Sequence, residues 1–180
     1  IDHILPLLSP MDLAAKLARK EAVELGYKDE EIGVFFISPC AAKVTAARSP
    51  LGLKETGING VLSIADIYVR ILPLVGKVDT SKVKSTATIN GIGWATRGGE
   101  NRALGLENSI SVDGINNVIK VLEELEDEKL NDILFVEALS CTGGCVGGPV
   151  VAENPFISQN KLKNLLKMHT ETDKEIQIDQ

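Results

Sequence analysis

Apolar residues along this chain recur at two different spacings, and the spacing switches several times. From Ser9 the pattern is helical: a hydroxyl able to cap, Pro10 at the first helical position, and Leu13, Leu17, Ala18 and Ala22 on one face. Gly26 is placed to end that helix. "GVFFIS" (33–38) is a short, continuously apolar run stopping at Pro39 and Cys40, as a buried strand of a parallel sheet would. "INGVLSI" (58–64) predicts a second strand, and "ADIYVRILPLV" a helix with Pro73 near its end. "VKSTATIN" (83–90) reads as a strand or extended segment, followed by the glycine-rich "GIGWATRGGEN" (91–101) entering a short helix. "VDGINNVIKVLEELEDEKL" (112–130) has the spacing of an amphipathic helix, with Ile115, Val118, Ile119 and Leu122 on one face. "DILFVEALS" (132–140) reads as the last buried strand, and "NPFISQNKLKNLLKMH" (154–169) as a closing helix before a polar tail, 171–180.

Strands therefore alternate with helices, and the predicted class is α/β, a mostly parallel sheet flanked by helices. In such sheets binding sites form beyond the carboxyl ends of the strands. Cys40 follows the strand at 33–38, and Cys141 follows the strand at 132–140. Loops leaving one edge of a parallel sheet can meet although a long stretch of sequence separates them.

Composition narrows the function. The 180 residues are enough for one domain with its own core, expected over 1–170. The chain is 44% hydrophobic and 24% charged, with a net charge of −6 and no basic cluster, which argues against a nucleic-acid partner. No apolar run approaches the roughly 18 residues of a membrane span. The chain opens without Met and without a secretory leader pattern, so a piece of a longer protein is expected. Three cysteines, an odd and sparse count, suit a reducing, cytoplasmic setting better than a disulfide scaffold. The only histidines, His3 and His169, lie near the two ends, which disfavours a histidine metal site.

The chemistry concentrates in "SCTGGCVGGP" (140–149). Its C-x3-C spacing, with Gly143 and Gly144 between Cys141 and Cys145, is not that of a zinc knuckle, and no second pair follows. Thiolates also hold iron–sulfur clusters, and glycines would let the backbone wrap a cube and turn its N–H groups toward the sulfides. The plain alternative is two inert cysteines in a tight turn. "SPCAAK" (38–43) adds a third thiol. Pro39 disfavours helix at Ser38, Cys40 sits where a helix begins, and Lys43 lies one turn on. Taken singly, Cys40 reads as a small core residue and Lys43 as a solvated lysine. "GIGWAT" is a poor dinucleotide fingerprint, because Arg97-Gly98-Gly99 interrupts the helix it needs; a tight, closely packed turn fits better. Trp94 is expected as a buried anchor, and the acidic run 123–129 as a solvated helix end.

Together, "SPCAAK" and "VEALSCTGGCVGGP" resemble two signature motifs of the iron-only (FeFe) hydrogenase large subunit, which read roughly P-C-T-A-K and F-x-E-x-M-A-C-P-G-G-C-x-G-G. "WATRGGENRAL", "VDGINNVIKVLEEL" and the opening "ILPLLSPMDLAAK" are similar to the family's intervening and preceding segments, so the resemblance covers most of 1–158. The resemblance implies one lobe of the hydrogenase-like fold. It also implies an H-cluster, a 4Fe-4S cube joined through one thiolate to a diiron unit carrying CO, cyanide and a dithiolate. By motif position Cys40, Cys141 and Cys145 would ligate the cube, Cys145 would bridge to the diiron unit, and Lys43, the catalytic candidate, would bond an iron cyanide. Ser38, Pro39, Ala41, Gly143 and Gly144 would line the cofactor.

The activity implied is reversible H2 oxidation and proton reduction, with ferredoxin or a ferredoxin-like cluster domain as electron partner. The family's first signature, T-S-C-C-P, supplies the fourth cube ligand. An upstream segment is therefore an expected partner, and this chain by itself is expected to lack the cofactor. Ser38 and Leu139 stand where catalytic members carry methionines, Ala46 where they carry a proton-pathway glutamate, and Thr142 where they carry proline. These departures suit a divergent branch, one that senses hydrogen or redox state or assembles iron–sulfur clusters. A thiol-redox or zinc domain ranks last.

Overall fold

The computed structural model describes residues 7–50, 56–79 and 87–168. Its contacts divide into two compact units, 1–72 and 73–180. The α/β class holds in both. Each unit is built on one pair of parallel strands with helices against it.

In the first unit, α1 (Pro10–Glu24) starts where the sequence places it. The Ser9 hydroxyl accepts the Asp12 N–H at 3.2 Å, and Pro10 occupies the first turn. Its inward face differs from the predicted one. Met11, Asp12 and Ala15 are buried, whereas Leu13 and Leu17 are exposed. Strand β1 (Phe35–Ser38) runs parallel to β2 (Gly60–Ser63) in the register Phe35–Gly60 to Ser38–Ser63. The pair is buried on one side only. Phe36 and Val61 pack with Met11, Ala15 and Ile58, while Phe35 and Ile37 face outward. The continuous apolar run at 33–38 therefore does not mark a strand covered on both faces. Helices α2 (Ala42–Arg48) and α3 (Ile64–Ile71) follow the strands, with Ala46 and Ala47 of α2 against the same core.

The second unit begins its described helices with α4 (Ile89–Gly93), capped by the Thr88 hydroxyl, and α5 (Gly99–Leu104). Ile89 and Asn90 are thus helical, not extended, and residues 83–86 of the predicted strand lie outside the described residues. So do His3, His169 and the tail at 171–180. Strand β3 (Ser109–Asp113) has no counterpart in the prediction, which placed Val112 and Asp113 in a helix. It pairs parallel with β4 (Phe135–Leu139), from Ser109–Phe135 to Asp113–Leu139. The helix between them, α6 (Ile115–Glu126), buries Val118 but leaves Ile115, Ile119 and Leu122 substantially exposed. Its end is solvated as expected: Lys129 pairs with Glu124 at 3.1 Å and Asp127 at 2.9 Å on the surface. α7 (Pro155–Met168) packs on α4 and on the 3-10 turn Gly144–Gly147.

Candidate metal centre

Both cysteine motifs sit just past the carboxyl end of a strand, β1 for Cys40 and β4 for Cys141. In the first unit the Cys40 turn is fixed by Ser38. This serine is buried, at 1% exposure, and its hydroxyl donates to the Cys40 carbonyl at 3.1 Å and accepts the Cys40 N–H at 3.0 Å. The Cys40 carbonyl also accepts the Lys43 N–H at 3.2 Å, so Cys40 stands just before the first turn of α2. Cys40, Pro39 and Lys43 are half-buried, and Ala41 is exposed. Lys43 lies close enough to the buried Asp12 to act on it. Burial pushes the Asp12 carboxyl up, but the Ser9 and Thr56 hydroxyls, with the positive charges of Lys43 and Lys16, hold it below its ordinary value.

In the second unit the chain leaves β4 and turns sharply. The Cys141 carbonyl accepts the Gly144 N–H at 3.0 Å, and Gly143 and Gly144 both have positive φ, 87° and 81°. Two such residues in succession demand glycine, since a side chain there clashes with its own backbone. Cys141 is half-buried and Cys145 exposed, and neither is in a disulfide. The Gly143 N–H donates to the Asp113 carboxylate at 2.6 Å, and the Gln159 amide donates to the Gly143 carbonyl at 3.2 Å. The Gly148 N–H goes to the Cys145 carbonyl at 3.1 Å, and the Val146 N–H to the Ala95 carbonyl at 3.2 Å.

These bonds change one expectation. The loop amides of Gly143, Gly144, Val146 and Gly148 are spent on protein acceptors and are not presented to a ligand. The glycines also face protein. A Cβ on Gly144 would lie 3.0 Å from both the Ala95 oxygen and the Arg97 nitrogen, and one on Gly147 only 1.9 Å from the Thr142 oxygen. What comes so close to this backbone is the chain itself, from the "WATRGG" turn and from its own preceding residues.

That turn is the tightly packed element the sequence suggested. A Cβ on Gly99 would fall 2.5 Å from the Gly93 oxygen. Trp94, expected to be buried, is 40% exposed, because its indole N–H reaches out to Glu100 at 2.7 Å. The turn is held from below by a residue to which the sequence reading gave no role. Glu137, in the middle of β4, is 1% exposed. Its carboxylate accepts from the Gly98 N–H at 3.1 Å, the Asn101 N–H at 3.2 Å and the Ser111 hydroxyl at 3.0 Å. The available signals were one charged residue inside the apolar run "ILFVEAL" and the glutamate of the motif F-x-E-x-M, which falls on Glu137.

Thiols are the donors an iron–sulfur group takes, so the donor chemistry fits. The second unit supplies two of them and the first unit one, and among the described residues no three His, Cys, Asp or Glu side chains are grouped to hold a metal ion. The family model for the iron-only hydrogenase large subunit, C-terminal domain, matches residues 75–149. No curated protein matches the chain. The match takes in Glu137, Cys141 and Cys145, whereas Cys40 and Lys43 lie before it. Residues 75–149, with both thiols of the glycine loop, are thus similar to the C-terminal domain of the iron-only hydrogenase large subunit.

Proposed function

We propose that residues 1–170 form an H-cluster-binding domain in which Cys40, Cys141 and Cys145 together hold a 4Fe-4S cube, Cys145 also bridging to a diiron unit. The observation that carries this reading is the placement of Cys141 and Cys145 on a glycine turn beyond β4, inside the segment matched by the hydrogenase family. The chain has three cysteines, so the fourth cube ligand comes from another source, in this reading an upstream segment. Lys43 would donate to a ligand of the diiron unit, Ser38, Pro39 and Ala41 would border the cofactor, and Gly143 and Gly144, themselves packed against the chain, would shape the turn that presents Cys141 and Cys145 to it. When bound, the cofactor supplies the reversible splitting of H2 into protons and electrons. The chain's residues bind it, orient it and exclude water from it. Electrons pass to a ferredoxin-type partner in a cytoplasmic setting. None of the described helices is long and apolar enough to cross a membrane.

A second reading, a hydrogen- or redox-sensing or cluster-assembly relative, is favoured by one observation. Ala46, standing where catalytic members carry a glutamate, packs against the apolar core of the first unit. A carboxylate there would face apolar neighbours, and the chain delivers no proton by that route. The test is anaerobic reconstitution with iron, sulfide, excess free thiol as the fourth ligand and a diiron precursor, followed by infrared spectra under H2. CO and cyanide bands that shift with H2 support the H-cluster, and turnover then separates enzyme from sensor. A cube without diiron bands sinks the hydrogenase reading and leaves assembly or electron transfer.

A further inference from the structure

We propose that Glu137 is a positioning residue for Cys145, acting through the 95–98 turn; its importance rests on Cys145 being a cluster ligand, although its test does not. Burying a carboxylate is costly unless its oxygens are bonded, and those of Glu137 accept three donors. One of these donors is the backbone of Gly98, the end of the "WATRG" turn. The other end of that turn carries the bond from Val146 to Ala95, and residues 95–97 lie against Gly144. Both neighbours of the exposed Cys145 thus rest on a turn anchored at Gly98 by Glu137. The Asp113 bond to Gly143 fixes the Cys141 side of the loop in a separate way. The Cys145 side rests on the 95–98 turn, which Glu137 holds at Gly98 and Arg102 holds at Thr96 and Gly93.

The test uses the full chain with Cys40→Ser and Cys141→Ser, which leaves Cys145 as the single thiol. Glu137→Gln keeps the shape but cannot accept from both backbone N–H groups, because one oxygen becomes a donor. Amide exchange at Gly98 and Val146 is expected to rise together, by about tenfold, and the rate of Cys145 modification by an aromatic disulfide to change by about threefold or more. Val118→Ala, which loosens the contact of α6 instead, is expected to leave both within about twofold. The proposal is overturned if only Gly98 responds to Glu137→Gln, or if Val118→Ala moves Val146 and Cys145 equally. Should Glu137→Gln fail to fold, native-state exchange on the parent chain decides. Gly98 and Val146 opening with the same denaturant dependence supports the link, and independent opening overturns it. No readout involves iron, so failure here leaves the cluster reading intact, and failure to bind a cluster leaves this one intact.

Discussion

Gly147 has no room for a methyl group. Its missing Cβ would stand 1.9 Å from the Thr142 carbonyl oxygen, a backbone atom that cannot swing away. Gly105 is the opposite case, with φ at +64° and nothing within 4 Å of its Cβ position. Gly105→Ala is expected to cost only the left-handed backbone penalty, about 1–2 kcal/mol. Gly147→Ala is expected to cost more, about 3 kcal/mol or above, because the Cys141–Cys145 turn must rearrange. Urea unfolding of the two variants measures the difference, and equal costs would mean that the turn is looser than its contacts indicate. The same residues set how much of the site could be read in advance. The cysteines and glycines declare themselves by composition. That the glycines serve chain-on-chain packing does not, because the same residue type is required whether a cofactor or a neighbouring peptide comes close.

At the scale of elements, α1 illustrates both what is legible and what is not. Its start follows from local chemistry, with Ser9 capping and Pro10 entering. Its inward face does not, because Asp12 rather than an apolar residue occupies the buried stripe. That carboxylate is 8% exposed and accepts from the Thr56 hydroxyl at 2.7 Å and the Ser9 hydroxyl at 2.5 Å. Its lowered pKa has a consequence of definite sign. A carboxyl depressed by folding contributes stability above its unfolded value, 3.8, and loses it as pH falls through the lower folded value. The parent chain is therefore expected to weaken in acid below that point, and Asp12→Asn to lack that part of the loss while being less stable at neutral pH. Chemical unfolding at pH 7 and in acid checks this, and identical acid dependence in both proteins would contradict it. Strand β3 was missed for a related reason. Its Ile110 and Val112 alternate as a strand should, but the helical pattern beginning at Ile115 is stronger and absorbs Val112 and Asp113. Glu137 broke an apolar run without betraying its partners, which lie on β3 and α5.

At the scale of the molecule, the class was legible because each parallel strand pair needs a crossover, and helical spacing between apolar runs shows one. The prediction of one sheet gives way to two pairs, one in each unit. Cys40 belongs to the first unit, and Cys141 and Cys145 to the second. Whether three thiols serve one cluster is therefore a property of the whole chain. The most direct measurement is the iron and sulfide content of the intact chain after anaerobic reconstitution with excess free thiol, beside its Cys40→Ser, Cys141→Ser and Cys145→Ser variants. Roughly four irons and four sulfides are expected in the parent chain, as in a 4Fe-4S cube, with loss of most of both in every variant. A Cys40→Ser chain that keeps the full complement would contradict a shared cluster, because the cluster would then belong to the glycine loop without the first unit.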